Sequence, residues 1–84
     1  MYIAKATVTL SSCQVINIET TKEETKTEVI NLIGERILFY LDCENTETII
    51  TNIKNMLFAA EVGESVVQKP CFGTTIEVRV EATN

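Results

Sequence analysis

Histidine and tryptophan are absent from this sequence, proline occurs once (Pro70), and the three glycines lie far apart at Gly34, Gly63 and Gly73. Without histidine the chain lacks the commonest general base at neutral pH and the commonest metal ligand. Ser-His-Asp and Cys-His arrangements cannot be assembled. Three scattered glycines make neither a GxGxxG nor a GxxxxGK[ST] phosphate loop, and no GxSxG elbow is present. No apolar run reaches the 18 residues of a membrane span. The opening residues, Met1-Tyr2-Ile3-Ala4-Lys5-Ala6-Thr7, alternate and carry neither the basic nor the apolar region of a secretory leader. These absences predict a protein that is not an enzyme, needs no cofactor or metal, and has no membrane partner.

Positive charge is also scarce. Seven lysines and arginines, scattered along the chain, face twelve acidic residues for a net charge of −5. A polyanion would be repelled, so nucleic acid is excluded as a partner, and the acidity serves solubility. Paired carboxylates (Glu23/Glu24, Glu44/Glu47, Glu61/Glu64) fall in segments read as solvated helix ends or loops, where nothing sets them up for acid–base work. Asp42, Glu44, Asn45 and Glu47 lack the spacing and central glycine of a calcium loop; acidic residues at a helix start suit the macrodipole.

Cysteine is sparse as well. Cys13, Cys43 and Cys71 show no CxxC spacing and no zinc signature, and an odd number cannot pair completely within one chain. Reduced thiols in a cytoplasmic protein are the expectation. Cys13 is expected to be packed. Cys43, between Asp42 and Glu44, is expected to be unreactive, and Cys71, in a loop near Lys69, is the better placed of the two.

What is present is a short chain of 84 residues rich in Thr, Ile and Val, enough for one domain whose core is carried by a sheet. Residues 2–10 alternate, with Tyr2, Ala4, Ala6, Val8 and Leu10 on one face. After a turn at Ser11-Ser12, residues 13–19 read as a second strand. Thr21 and Glu24 have capping-box spacing. Beyond them, at about 100° per residue, Val29, Ile30, Ile33, Ile37, Tyr40 and Leu41 share one face of a helix over 21–42. Gly34 is costly inside that helix and could instead end it, leaving Arg36–Asp42 as a strand. Asn45 or Thr46 can cap a second helix striped by Ile49, Ile53, Met56, Leu57 and Ala60, with Gly63 ending it. Residues 65–69 form a short strand, Pro70–Gly73 a turn, and 74–82 a strand with Ile76, Val78, Val80 and Ala82 inward. The fold class is α+β: a two-layer sandwich of order ββααββ, with a mainly antiparallel four-stranded sheet and a two-helix hairpin on one face. The strands over 2–10 and 74–82 should be neighbours, with Lys5 near Glu77 and Glu81.

Two stretches invite a functional reading. Lys69, Cys71, Phe72, Gly73, Thr74 and Thr75 bring a cation, a stackable ring, a permissive glycine and two hydroxyls together, the parts of a site for a small nucleotide-like anion. The bland reading of the same residues is a hairpin connection with Gly73 at positive φ. Phe58 lies off the stripe of the second helix, beside Glu47, Thr51 and Lys54, unless the helix ends near Leu57 and Phe58 folds inward. Leu32, Leu38 and Phe39 lie off the stripe of the first. Covering these four requires a surface beyond the chain's own sheet. The expected function is a small cytoplasmic binding or regulatory protein that acts by protein–protein contact and self-associates. The alternative is an oligomer that sequesters a small anionic ligand, of the kind a phage or mobile element could use against a host factor.

Overall fold

Strict alternation produces the two central strands. In the computed structural model, which describes residues 1–84, β1 (Tyr2–Thr9) pairs antiparallel with β4 (Thr74–Ala82), from Tyr2 opposite Ala82 to Thr9 opposite Thr75. Their shared face, Ala4, Ala6 and Val8 with Ile76, Val78 and Val80, is fully buried. The flanking strands are β2 (Val15–Glu19) and β3 (Ser65–Cys71), in the all-antiparallel order β2-β1-β4-β3. Helices α1 (Lys26–Tyr40) and α2 (Thr46–Ala59) lie on the inner face and close the core with Val29, Ile30, Ile33, Ile37, Ile49, Ile50, Ile53 and Leu57. Each such side chain contributes about 1.5–3 kcal/mol on burial, set against the cost of ordering the chain. The ββααββ two-layer arrangement is the one the periodicity predicts.

Boundaries differ where tertiary contacts compete. α1 starts at Lys26, not Thr21, because residues before it are held in the sheet layer: Tyr2 and Glu23 exchange backbone hydrogen bonds of 2.8 and 2.9 Å. The cap forms four residues later, at Thr25. Thr25 Oγ1 accepts from the Glu28 amide and donates to Glu28 Oε1, at 3.1 and 2.9 Å. The helix runs through Gly34 to Tyr40, so Arg36–Tyr40 is not a strand. Gly34 is buried where α1 crosses α2; a Cβ there would lie 3.2 Å from Ile50 Cγ2. The glycine lets the two helices approach. α2 ends at Ala59 rather than at Gly63, which instead turns the chain into β3 at φ +92. β3 continues past Lys69 through Pro70 to Cys71, allowed because β3 is an edge strand, with a register shift between Gln68 and Cys71. β2 starts at Val15, two residues later than its apolar run, since Cys13 takes φ +70 in the turn.

The cysteines depart most from expectation. Cys43 and Cys71 form a disulfide, Cα atoms 6.2 Å apart, between the α1–α2 connection and the end of β3. The expected set of reduced thiols is therefore corrected: the third coordinate brings together residues whose spacing carries no signature. Cys13 is free and exposed rather than packed.

Candidate functional site

Antiparallel topology sorts the connections to two ends. The β1–β2 turn, the α1–α2 connection and the β3–β4 turn share one end with the disulfide. The termini, the start of α1 and the end of α2 share the other. Gly73 confirms how close the turns lie, since a Cβ at that residue would sit 3.0 Å from Ser11 Cβ.

The residues Lys69, Cys71, Phe72, Gly73, Thr74 and Thr75 line one shallow, open hollow at the turn end. Gly73, at φ +81, permits the tight hairpin. The two hydroxyls diverge, however, because neighbours on a strand point to opposite faces. Thr74 is buried and its Oγ1 has no hydrogen-bond partner, while Thr75 lies on the outer face. Cys71 is committed to the disulfide and Phe72 is fully exposed. The hollow thus gathers the six residues along one surface without aiming both hydroxyls at one point.

The four off-stripe residues divide among three places. Leu32 is half-buried on the flank of α1 that faces β2, where it lines a small hollow with Thr20, Thr21, Glu35 and Arg36. Phe39, seven residues on, shares that flank at the turn end; it is 83% exposed, and its ring stands nearly perpendicular to that of Tyr40, centroids 5.2 Å apart. Leu38 projects on the opposite flank, towards α2. Phe58 belongs to the terminal end: α2 continues past it, and the ring stays half-exposed. It does not fold back into the core.

Reading the chain residue by residue missed the outer face of the sheet. Lys5 stands directly opposite both Glu19 and Arg79, and Thr7 opposite both Asn17 and Glu77. These six side chains line a hollow of about 260 Å³. Glu81 accepts from Arg79 at 2.9 Å and pairs with Lys5 at 3.1 Å. Its carboxyl is held below the usual carboxylate range, first by the Arg79 hydrogen bond and then by that of Lys5. The positive charges are thereby partly neutralised. The outward alternation of Lys5, Thr7, Arg79 and Glu81 was legible, but the cross-strand register that joins them was not.

Comparison with known proteins finds no matching family model, no similar curated protein and no similar solved structure. Any reading of function rests on these residues.

Proposed function

We propose that this chain is a binding protein that acts by protein–protein contact and associates with itself. The reading is supported by Phe39, an almost fully exposed ring on a helix whose opposite face is locked into the core. Exposed aromatics on a rigid support are the usual anchors of protein interfaces, because little side-chain freedom remains to be lost on binding. Phe72 stands at the same end, next to the disulfide that ties its hairpin to the α1–α2 connection.

No helix is long and apolar enough to cross a membrane. A cytoplasmic site of action was expected from unpaired thiols, and the Cys43–Cys71 bond counts against it, since glutathione keeps such bonds reduced there. Trapping the chain's thiols by alkylation inside cells, followed by mass measurement, shows whether the bond forms there.

Sedimentation velocity across a concentration series tests the contact reading. Wild-type protein is expected above its monomer mass of 9.4 kDa, and Phe39→Lys is expected to move it to monomer while the circular dichroism spectrum of the folded chain is retained. A wild-type chain that sediments as monomer at every concentration overturns self-association.

A further inference from the structure

The two edges of the sheet are unlike. Hydrogen bonds from the Leu10 amide to the Gln14 carbonyl and from the Thr20 amide to the Ala4 carbonyl fix the phase of the β1–β2 ladder. With Ala6 opposite Ile18 and Val8 opposite Ile16, the even-numbered residues of β2 face β1. The backbone N–H and C=O groups of Val15, Asn17 and Glu19 therefore point out of the sheet, and all three residues are exposed. At the other edge, β3 carries Lys69, Pro70 and a register shift, the features that discourage strand addition. β2 has no lysine, no proline and no bulge. Beyond the single charge of Glu19, its only protection is its length.

We infer that a second copy of this chain docks on the β2 edge, β2 against β2 in antiparallel orientation about a two-fold axis at Asn17. This names the partner for the self-association proposed above and rests on that reading. The edge is self-complementary. With Asn17 opposite its symmetry mate, Val15 falls opposite Glu19 of the second copy, and each outward N–H meets an outward C=O. Like charges do not meet, because Glu19 faces a valine. The arrangement closes at two copies, whereas pairing β2 with the β3 edge is head-to-tail and leaves a free edge at each step unless a ring closes. The α1 flank above the same edge carries Leu32 and Phe39, so the apolar contact that Phe39 requires continues from the paired strands. The joined sheet has eight strands. Phe72, in the β3–β4 turn, stays free.

Cross-linking tests the register. In a Cys13→Ser background, Asn17→Cys places two thiols across the axis at about 5.5 Å between Cα atoms, within the span of a disulfide. Mild oxidation should yield a covalent dimer, while Val67→Cys on the β3 edge should not. Asn17→Pro removes an N–H that β1 does not use, and it should weaken the dimer at least about tenfold by deleting two backbone bonds at the axis. Should Asn17→Pro prove unfolded, hydrogen exchange on the wild type reads the same contact: the Val15, Asn17 and Glu19 amides should gain protection as concentration rises. A monomeric wild type defeats both this inference and the reading beneath it. A wild-type dimer in which Asn17→Cys fails to cross-link and those three amides stay unprotected defeats the β2 edge alone, and cross-linking through Val67→Cys assigns the contact to β3.

Discussion

The ammonium of Lys26, in the first turn of α1, donates to the backbone carbonyl of Ala60 at the end of α2, with Nζ 2.6 Å from the oxygen. It reaches the Phe58 carbonyl as well, at 3.5 Å. A lysine at a helix start is unfavourable for its own helix, yet this one neutralises the negative end of the neighbouring helix, whose last turn has no basic residue. Lys26→Met should cost about 0.5–1.5 kcal/mol, with Lys26→Arg recovering part of it. Thermal unfolding monitored by circular dichroism checks this; an unchanged midpoint for Lys26→Met would show that the clasp contributes nothing.

Reduction of Cys43–Cys71, which spans 28 residues of sequence, should lower stability by about 3.5 kcal/mol through the larger freedom of the open unfolded chain. That is a large share of the roughly 4–12 kcal/mol expected for a domain of this size. Urea titrations with and without reductant should show both a lower midpoint and a steeper slope. Coincident curves would mean that the bridge adds no constraint.

Thr74 Oγ1 is buried without a partner. Thr74→Val keeps the shape and removes the orphaned hydroxyl, so stability should hold or rise by up to about 1 kcal/mol. A loss beyond about 0.5 kcal/mol in chemical denaturation would reveal a hydrogen bond made by that hydroxyl.

Gly73→Ala should destabilise by about 1–3 kcal/mol, because it sets a side chain at positive φ. The new Cβ would also lie 3.1 Å from the Ser11 backbone. A melting temperature equal to that of wild type would contradict the turn geometry.

The Glu81 carboxyl is depressed by Arg79 and Lys5 in the folded chain. Its contribution to stability is therefore present above the ordinary carboxylate range and is lost as pH falls through the lower folded value. The carboxylate lies at the surface, its side chain 33% exposed, so the effect is small and screened by salt. Glu81→Gln should lower the neutral plateau slightly, leave stability at the acid end unchanged, and so flatten the acid limb between them. Superimposable acid limbs would count against the triad.

Periodicity is local, and the local features were legible. Alternation over residues 2–10 and 74–82 places Ala4, Ala6, Val8, Ile76, Val78 and Val80 in the core, and the helical stripe of Val29, Ile33 and Ile37 needs no knowledge of what covers it. The Lys5–Glu81 pair was legible only as a neighbourhood, since the register sets Lys5 opposite Arg79 with Glu77 and Glu81 two residues to either side, and only the packing of the side chains in space selects Glu81. The capping box shows the limit differently. Thr21–Glu24 and Thr25–Glu28 share one spacing, and the Tyr2–Glu23 bridge decides which becomes the cap.

Of the candidate sites, the contiguous run Lys69–Thr75 could be named from sequence, but the divergence of its two hydroxyls follows from the pleat of β4. Phe39, Phe58, Leu32 and Leu38 could be recognised as off-stripe, yet only the packing of α1 against α2 and β2 sends Leu32 and Phe39 to one flank, Leu38 to another and Phe58 to the opposite end. By itself, then, the sequence determined the order of elements and the buried face of each, because side-chain period and apolar content act within a few residues. Tertiary structure alone decided the Cys43–Cys71 bond, the close crossing at Gly34 and the free backbone edge of β2. Each of these depends on through-space distances between segments that no local period encodes.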